Sequence, residues 1–197
     1  MPKIEAATVA EHRAMKARQV IDAAVDLLVG EGPSAVTPAA VAERSGLART
    51  SVYQYAGSAA ELVAAAVEAL FVRATNDLSE AVAAAGSDPG DRIAAIVRAV
   101  LAGAKSGHSP NHAIEVEQLP PAQRERLGQL HGALMAPLVE AIADFGADDP
   151  RTTAALAWGA INGIVPMVEG GMPIEQAAAR AVAFVSAGVG RTPVVRS

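Results

Sequence analysis

Between Thr37 and Tyr55 the chain reads TPAAVAERSGLARTSVYQY, and this stretch dictates its own local structure almost residue by residue. Thr37 has the side chain of a helix N-cap, and Pro38 stands at the first helical position, where a missing N–H costs nothing. Val41 and Ala42 give a short helix its inner face, and Gly46, after Glu43, Arg44 and Ser45, stops it. Leu47 then plugs the corner. A second helix is predicted over Arg49–Tyr55, with Val52 pointing in and Arg49, Thr50, Ser51, Tyr53, Gln54 and Tyr55 on its other sides. The small, turn and apolar positions Ala42, Gly46 and Val52 let the two helices approach closely. This is the pattern of a helix-turn-helix.

The flanks are helical as well. Residues Met1 to about Thr8 read as a loose arm, and Val9–Gly30 as a helix whose apolar face is Ala17, Val20, Ile21, Ala24, Leu27 and Leu28. Arg13, Lys16 and Arg18 near its start form either a solvated face or a contact for phosphates. Gly30, Gly32 and Pro33 end it. Ser58-Ala59-Ala60-Glu61 is a capping box that opens a helix running to about Ala85. Gly86-Ser87-Asp88-Pro89-Gly90 is the clearest loop. Further helices are predicted over Asp91–Lys105, His112–Gln118, Ala122–Phe145 (with a kink at Pro137), Arg151–Val168 and Pro173–Val189. No strand pattern and no repeat is present.

Composition narrows the function classes. Half of the 197 residues are apolar but only 3% are aromatic, so the core has to be built from Ala, Val, Leu and Ile. No apolar run reaches the roughly 18 residues of a membrane span, and the first residues have no signal-peptide apolar block. The absence of cysteine removes disulfides, thiolate metal sites and a thiol nucleophile, and fits a cytoplasmic protein. Net charge is −5, which is acidic for a nucleic-acid binder, yet Arg44–Ala60 carries two cations and no anion. A shallow salt dependence is the expectation for such a patch.

With the flanks in place, VIDAAVDLLVGEGPSAVTPAAVAERSGLARTSVYQYAGSAAEL resembles the N-terminal domain of the tetracycline-repressor (TetR) family of transcriptional regulators. The shared pattern is a helix ending near Gly32, then Thr37, V-A-E-x-S-G, V-Y-x-Y, and a helix starting near Ser58 with Leu62. The resemblance implies an all-α fold: an N-terminal three-helix helix-turn-helix DNA-binding domain over residues 1–57, followed over 58–197 by a larger helical ligand-binding and dimerisation domain. It implies that the helix from Arg49 enters the major groove of palindromic operator DNA. Arg49, Thr50, Ser51 and Gln54 would face bases or nearby phosphates, Arg49 being suited to a guanine and Gln54 to an adenine. Tyr53 would touch the backbone, and Thr37 and Ser58 would meet phosphates at helix N-termini. Three positions depart from the family: Ala48 lacks a capping hydroxyl, Ala56 replaces an aromatic and leaves Tyr55 to fill the corner, and Ala59 replaces a phosphate-binding lysine. Together they imply weaker or more base-dependent DNA binding.

No catalytic constellation emerges, so no enzyme activity and no cofactor is expected. His112 and Glu115 are one helical turn apart, but no second histidine four residues on completes a metal motif, and a surface or pocket-rim role for them and for His108, Glu117 and His131 is favoured. In the resembled family the C-terminal helices enclose a cavity, and a bound small-molecule effector changes the spacing of the recognition helices. Phe71, His112, His131, Met135, Trp158 and Asn162 are the candidate ligand contacts, with Ile96, Leu127, Leu130, Leu134 and Met167 as further apolar lining, and a neutral or weakly polar effector suits them. Trp158 also reads as a core aromatic, and Asn162 as an interface hydrogen-bonder. The last two helices are more apolar than a surface layer should be. Ordinary core packing and a homodimer through a four-helix bundle both account for this; the dimer is favoured because it pairs the recognition helices. A helical carrier or enzyme without DNA binding is the alternative.

Overall fold

The computed structural model describes residues 3–106 and 121–189. Eight α-helices and no strand are found among them: α1 (Lys3–Glu31), α2 (Pro38–Ser45), α3 (Arg49–Val52), α4 (Ala59–Ala85), α5 (Pro89–Lys105), α6 (Pro121–Asp144), α7 (Pro150–Glu169) and α8 (Ile174–Val189). A 3-10 turn, Pro33–Ala35, joins α1 to α2. The expected helix at His112–Gln118 lies outside the described residues. The chain forms two compact units, Met1–Leu70 with Pro110–Arg124, and Phe71–Ser109 with Glu125–Ser197.

In the first unit α1 packs on the 3-10 turn and on α2, and α2 packs on α3. The core is aliphatic: Val20, Ala24, Leu27 and Leu28 from α1, Val36, Val41 from α2, Val52 from α3 and Leu62 from α4 are all buried. Burying an aliphatic side chain of this size is worth about 2 kcal/mol, so these few residues carry most of the cohesion. The Thr37 Oγ1 accepts the Ala40 N–H at 3.2 Å, and Gly46 takes the left-handed conformation (φ 69°) while its N–H and that of Leu47 close the last turn of α2. Arg44 at the end of α2 pairs with Glu31 at the end of α1 (2.9 Å). Both groups are exposed, so the pair adds little.

Two helices differ from their sequence reading. α1 begins at Lys3, not Val9. No breaker separates Pro2 from Gly30, and helix propagates through good formers even where apolar periodicity is lacking. α3 is four residues long, not the seven of Arg49–Tyr55. Beyond Val52 the backbone tightens, with Gln54 N–H on Ser51 O (3.1 Å) and Tyr55 N–H on Val52 O (2.9 Å). Ala48 provides no side-chain cap, and β-branched and aromatic residues dominate the segment, so regular helix is not sustained.

In the second unit α5 packs on α7 and α8, which also pack on each other. The buried stripes have helical spacing: Ile93, Ile96, Val97, Leu101 and Ala104 on α5; Ala154, Ala157, Ile161, Val165 and Val168 on α7; Ala177, Ala178, Ala181, Val185 and Val189 on α8. α6 buries Leu130, Leu134, Leu138, Ala141 and Ile142. Pro89 and Pro150 each stand at a first helical position behind a capping aspartate, Asp88 (Asp91 N–H, 2.9 Å) and Asp149 (Thr152 N–H, 3.2 Å). This is why α5 starts two residues before its predicted Asp91. Hydrogen bonds from the Thr152 hydroxyl and backbone hold the exposed Asp149 carboxyl below its ordinary range. Arg92 binds Asp144 at 2.6 Å and ties α5 to the end of α6. α6 runs on through Pro137, and α7 through Pro166.

Gly46→Ala places a Cβ in a left-handed turn with nothing else crowding it, so the cost is conformational. A loss of about 1 kcal/mol in chemical denaturation is expected, without change in helix content.

Candidate functional site

α3 is held by one fully buried side chain, Val52. Every other side chain of its exposed surface is thereby fixed in direction. Arg49 and Thr50 are exposed, Ser51 is half-buried, and Tyr53 and Gln54 are exposed in the turn that follows. The structure thus brings Arg49, Thr50, Tyr53 and Gln54 together on one short, outward segment. Arg49 and Tyr53 are one turn apart and interact: the Arg49 Nη2 donates to the Tyr53 hydroxyl at 3.4 Å, and its guanidinium carbon stands 5.8 Å from the ring centroid. The contact pre-orients a guanidinium fork beside a phenol, a pairing suited to an anion or a base edge.

Thr37 is exposed and caps α2, so its hydroxyl oxygen is already an acceptor and its proton remains available to donate. Ser58 is half-buried at the start of α4. Its Oγ accepts the Glu61 N–H at 3.2 Å and donates to Glu61 Oε1 at 3.3 Å. The capping box differs from its expected form in one respect: the Glu61 carboxylate reaches the N–H of Gly57 (2.9 Å), one residue before the cap. Glu61 therefore occupies the position at which an incoming phosphate would find helix-terminal donors. A lysine at Ala59 would have offset that charge. Ala56 is buried and Tyr55 half-buried, so the corner closes with a methyl group at its centre.

The ligand candidates all belong to the second unit, apart from His112, which lies outside the described residues along with His108, Glu115 and Glu117. Phe71 is buried on α4, His131 is exposed on α6 and Trp158 is half-buried on α7. They form one aromatic row: the His131 ring stands edge-on to Phe71 (6.5 Å between centroids) and to Trp158 (6.3 Å). Asn162, half-buried one turn after Trp158, donates its Nδ2 to the Trp158 carbonyl at 2.8 Å. Met135 is half-buried, and Met167, proposed as lining, is exposed on the outside of α7. An open groove of about 550 Å³ between α4 and α5 is lined instead by six alanines with Asp91 and Arg98, none of them among the sequence candidates. Among the described residues no cluster of three or more metal-ligating side chains occurs, and no helix is long and apolar enough to cross a membrane.

The sequence marked the last two helices as too apolar for a surface layer, and the structure identifies which of their residues face outward. Leu156 and Met167 on α7 are 71% and 55% exposed, and Phe184 on α8 is 66% exposed. Gly159 and Gly163 fall on the same side of α7, and a Cβ built on either meets no atom within 4 Å.

Residues 20–66 match the family model described as bacterial regulatory proteins, tetR family. No curated protein matches the chain. Among solved structures, a TetR-like transcriptional regulator from Rhodococcus sp. RHA1 superposes with a TM-score of 0.72 at 20% identity, over 90% of this chain and 98% of the other. The fatty acid degradation regulator FadR from Bacillus halodurans gives 0.72 at 15% identity, over 90% and 97%. FadR from Bacillus subtilis, in complex with stearoyl-CoA, gives 0.72 at 14% identity, over 87% and 98%. The helix-turn-helix of α2 and α3 lies inside the matched residues, and the all-helical fold extends over the length of these regulators. Residues 20–66 thus carry the N-terminal domain of the tetR family of bacterial regulatory proteins, and the described chain has the all-helical fold of TetR-like transcriptional regulators.

Proposed function

We propose that this regulator acts as a homodimer on palindromic duplex DNA, and that a small molecule bound in its second unit releases it. The domain boundary is placed at residues 57 and 58, as read from the sequence. The observation that carries the DNA-reading part is the outward set Arg49 and Thr50, on a helix anchored by Val52, with Tyr53 and Gln54 in the turn that follows it. Arg49 is placed against a guanine or a phosphate, Gln54 against a base, and Tyr53 and Thr37 against the backbone. Ser51 and Ser58 lie at the margins of this contact, and Glu61 weakens the contribution of Ser58. The dimer is supported by the exposed Leu156, Met167 and Phe184 and by the open sides of Gly159 and Gly163, which admit a second helix at close range. Release follows if the effector prefers the form in which the two α3 helices are wrongly spaced for their half-sites.

The reading makes three expected outcomes. On a duplex selected from a palindromic library, Arg49→Ala costs about 1–3 kcal/mol of binding and relaxes specificity at one position, and Tyr53→Phe costs about 1 kcal/mol. Gel-shift titration checks both, and unchanged binding by the two variants sinks this placement of the reading helix. Leu156→Glu and Phe184→Glu put charge into the proposed interface, so sedimentation is expected to show monomers with native helix content; persistent dimers would move the interface elsewhere. Trp158 is the sole tryptophan, so its emission reports on the Phe71–His131–Trp158 row. Titration with stearoyl-CoA and with an uncharged long-chain ester is expected to give a saturable emission change with at least one of them, together with loss of bound DNA.

A further inference from the structure

α1 is 29 residues long, and from Val9 to Gln19 none of its side chains is buried; the buried face begins at Val20. That is roughly 16 Å of helix. None of residues 9–15 is buried, so this part of α1 is not explained by packing. One stripe runs along it at three- and four-residue steps: Val9, Arg13, Lys16, Val20, Ala24, Leu27. From Val20 onward the stripe is the inner face of the domain, with Val20 and Ala24 fully inaccessible to solvent. Toward the N-terminus the same stripe is half-buried at Lys16 and exposed at Arg13. Arg13 and Lys16 are therefore carried on the core-facing side of α1, where that side passes beyond the edge of the domain.

Neither cation has an ion-pair partner among the described residues. Glu11, the nearest acid along the helix, lies with Arg18 on another stripe, more than a third of a turn away. An apolar partner covering this side would have to bury two unpaired cations, which costs several kcal/mol. What fits is a polyanion that also touches the rest of the unit. A DNA duplex held by α2 and α3 meets that description: it is wide, continuous and charged at every step.

We infer that Arg13 and Lys16 form a second DNA-contacting element, a phosphate clamp outside the segment read by α3. The inference rests on the proposed DNA binding. The pair contacts backbone only, so it adds affinity and salt dependence without sequence preference. Arg18 has the same charge on the same helix but lies on the other stripe, and it takes no part.

The test uses the full chain and a random-sequence duplex about four helical turns (roughly 40 base pairs) long. Binding is followed by fluorescence anisotropy across a salt series. Arg13→Gln/Lys16→Gln is expected to lower the slope of log affinity against log salt by about 0.9 for each lost phosphate contact, about 2 per protomer. Raising salt from about 50 to about 200 mM then weakens the wild type roughly tenfold more, per protomer, than the variant. Arg18→Gln is expected to leave most of the wild-type slope, and helix content should be unchanged in both. Equal slopes for the wild type and the double variant overturn the inference, as does a slope lost equally in Arg18→Gln. If the double variant instead changes the sedimentation mass, the stripe faces a second copy and the inference also fails. A wild type that binds no duplex at any salt fails the DNA reading itself, which is a separate outcome.

Discussion

Val52 is the physical point on which the DNA-facing end of the molecule depends. A helix of four residues has no stability of its own, since nucleation alone costs more than one turn of hydrogen bonds returns. Its direction comes from one buried valine, from the left-handed Gly46 that sets the turn, and from Ala42 and Val41 beneath. The outward side chains of this segment are thus positioned by packing that they do not share. The same separation holds along α1, where the apolar part of a stripe fixes the helix and the basic part of that stripe extends past the domain.

The second unit shows what happens when almost every helix face is apolar. α7 buries Ala154, Ala157, Ile161, Val165 and Val168 against α5 and α8 and still presents Leu156 and Met167 to solvent. A helix apolar on both sides has one face packed within its own chain and a second left for another contact, which is the face assigned to the proposed dimer. Gly159 and Gly163 lie on this second face, since the packing within the chain leaves their sides open.

Much of this was legible in the sequence, for identifiable reasons. Thr37, Pro38 and Gly46 announce the ends of α2 because caps and stops act locally, and Ser58 with Glu61 announces α4 in the same way. Val52 was legible from its spacing. The true start of α1 was not, because residues 3–8 have helix-forming composition but no apolar period to mark them. The missing cap at Ala48 was legible, but the residue at which α3 ends was not, since it also depends on how Tyr55 and Ala56 turn into the corner. On α7, composition said that the helix is apolar, but which of Leu156 and Ile161 is inside depends on where α5 and α8 lie. The aromatic row of Phe71, His131 and Trp158 joins three helices distant in sequence. The residues were named in advance, but their mutual contact depends on tertiary packing that local spacing does not report.

The carboxylate of Glu61, bonded to the Gly57 N–H, has a kinetic meaning. Gly57 is exposed, so without this carboxylate its N–H would be met by water; a phosphate arriving at this terminus has to displace an anion instead of a water molecule. Differences of this kind among related complexes appear chiefly in the rate of dissociation. On the proposed DNA contact, a carboxylate that competes for this donor shortens the residence at each site.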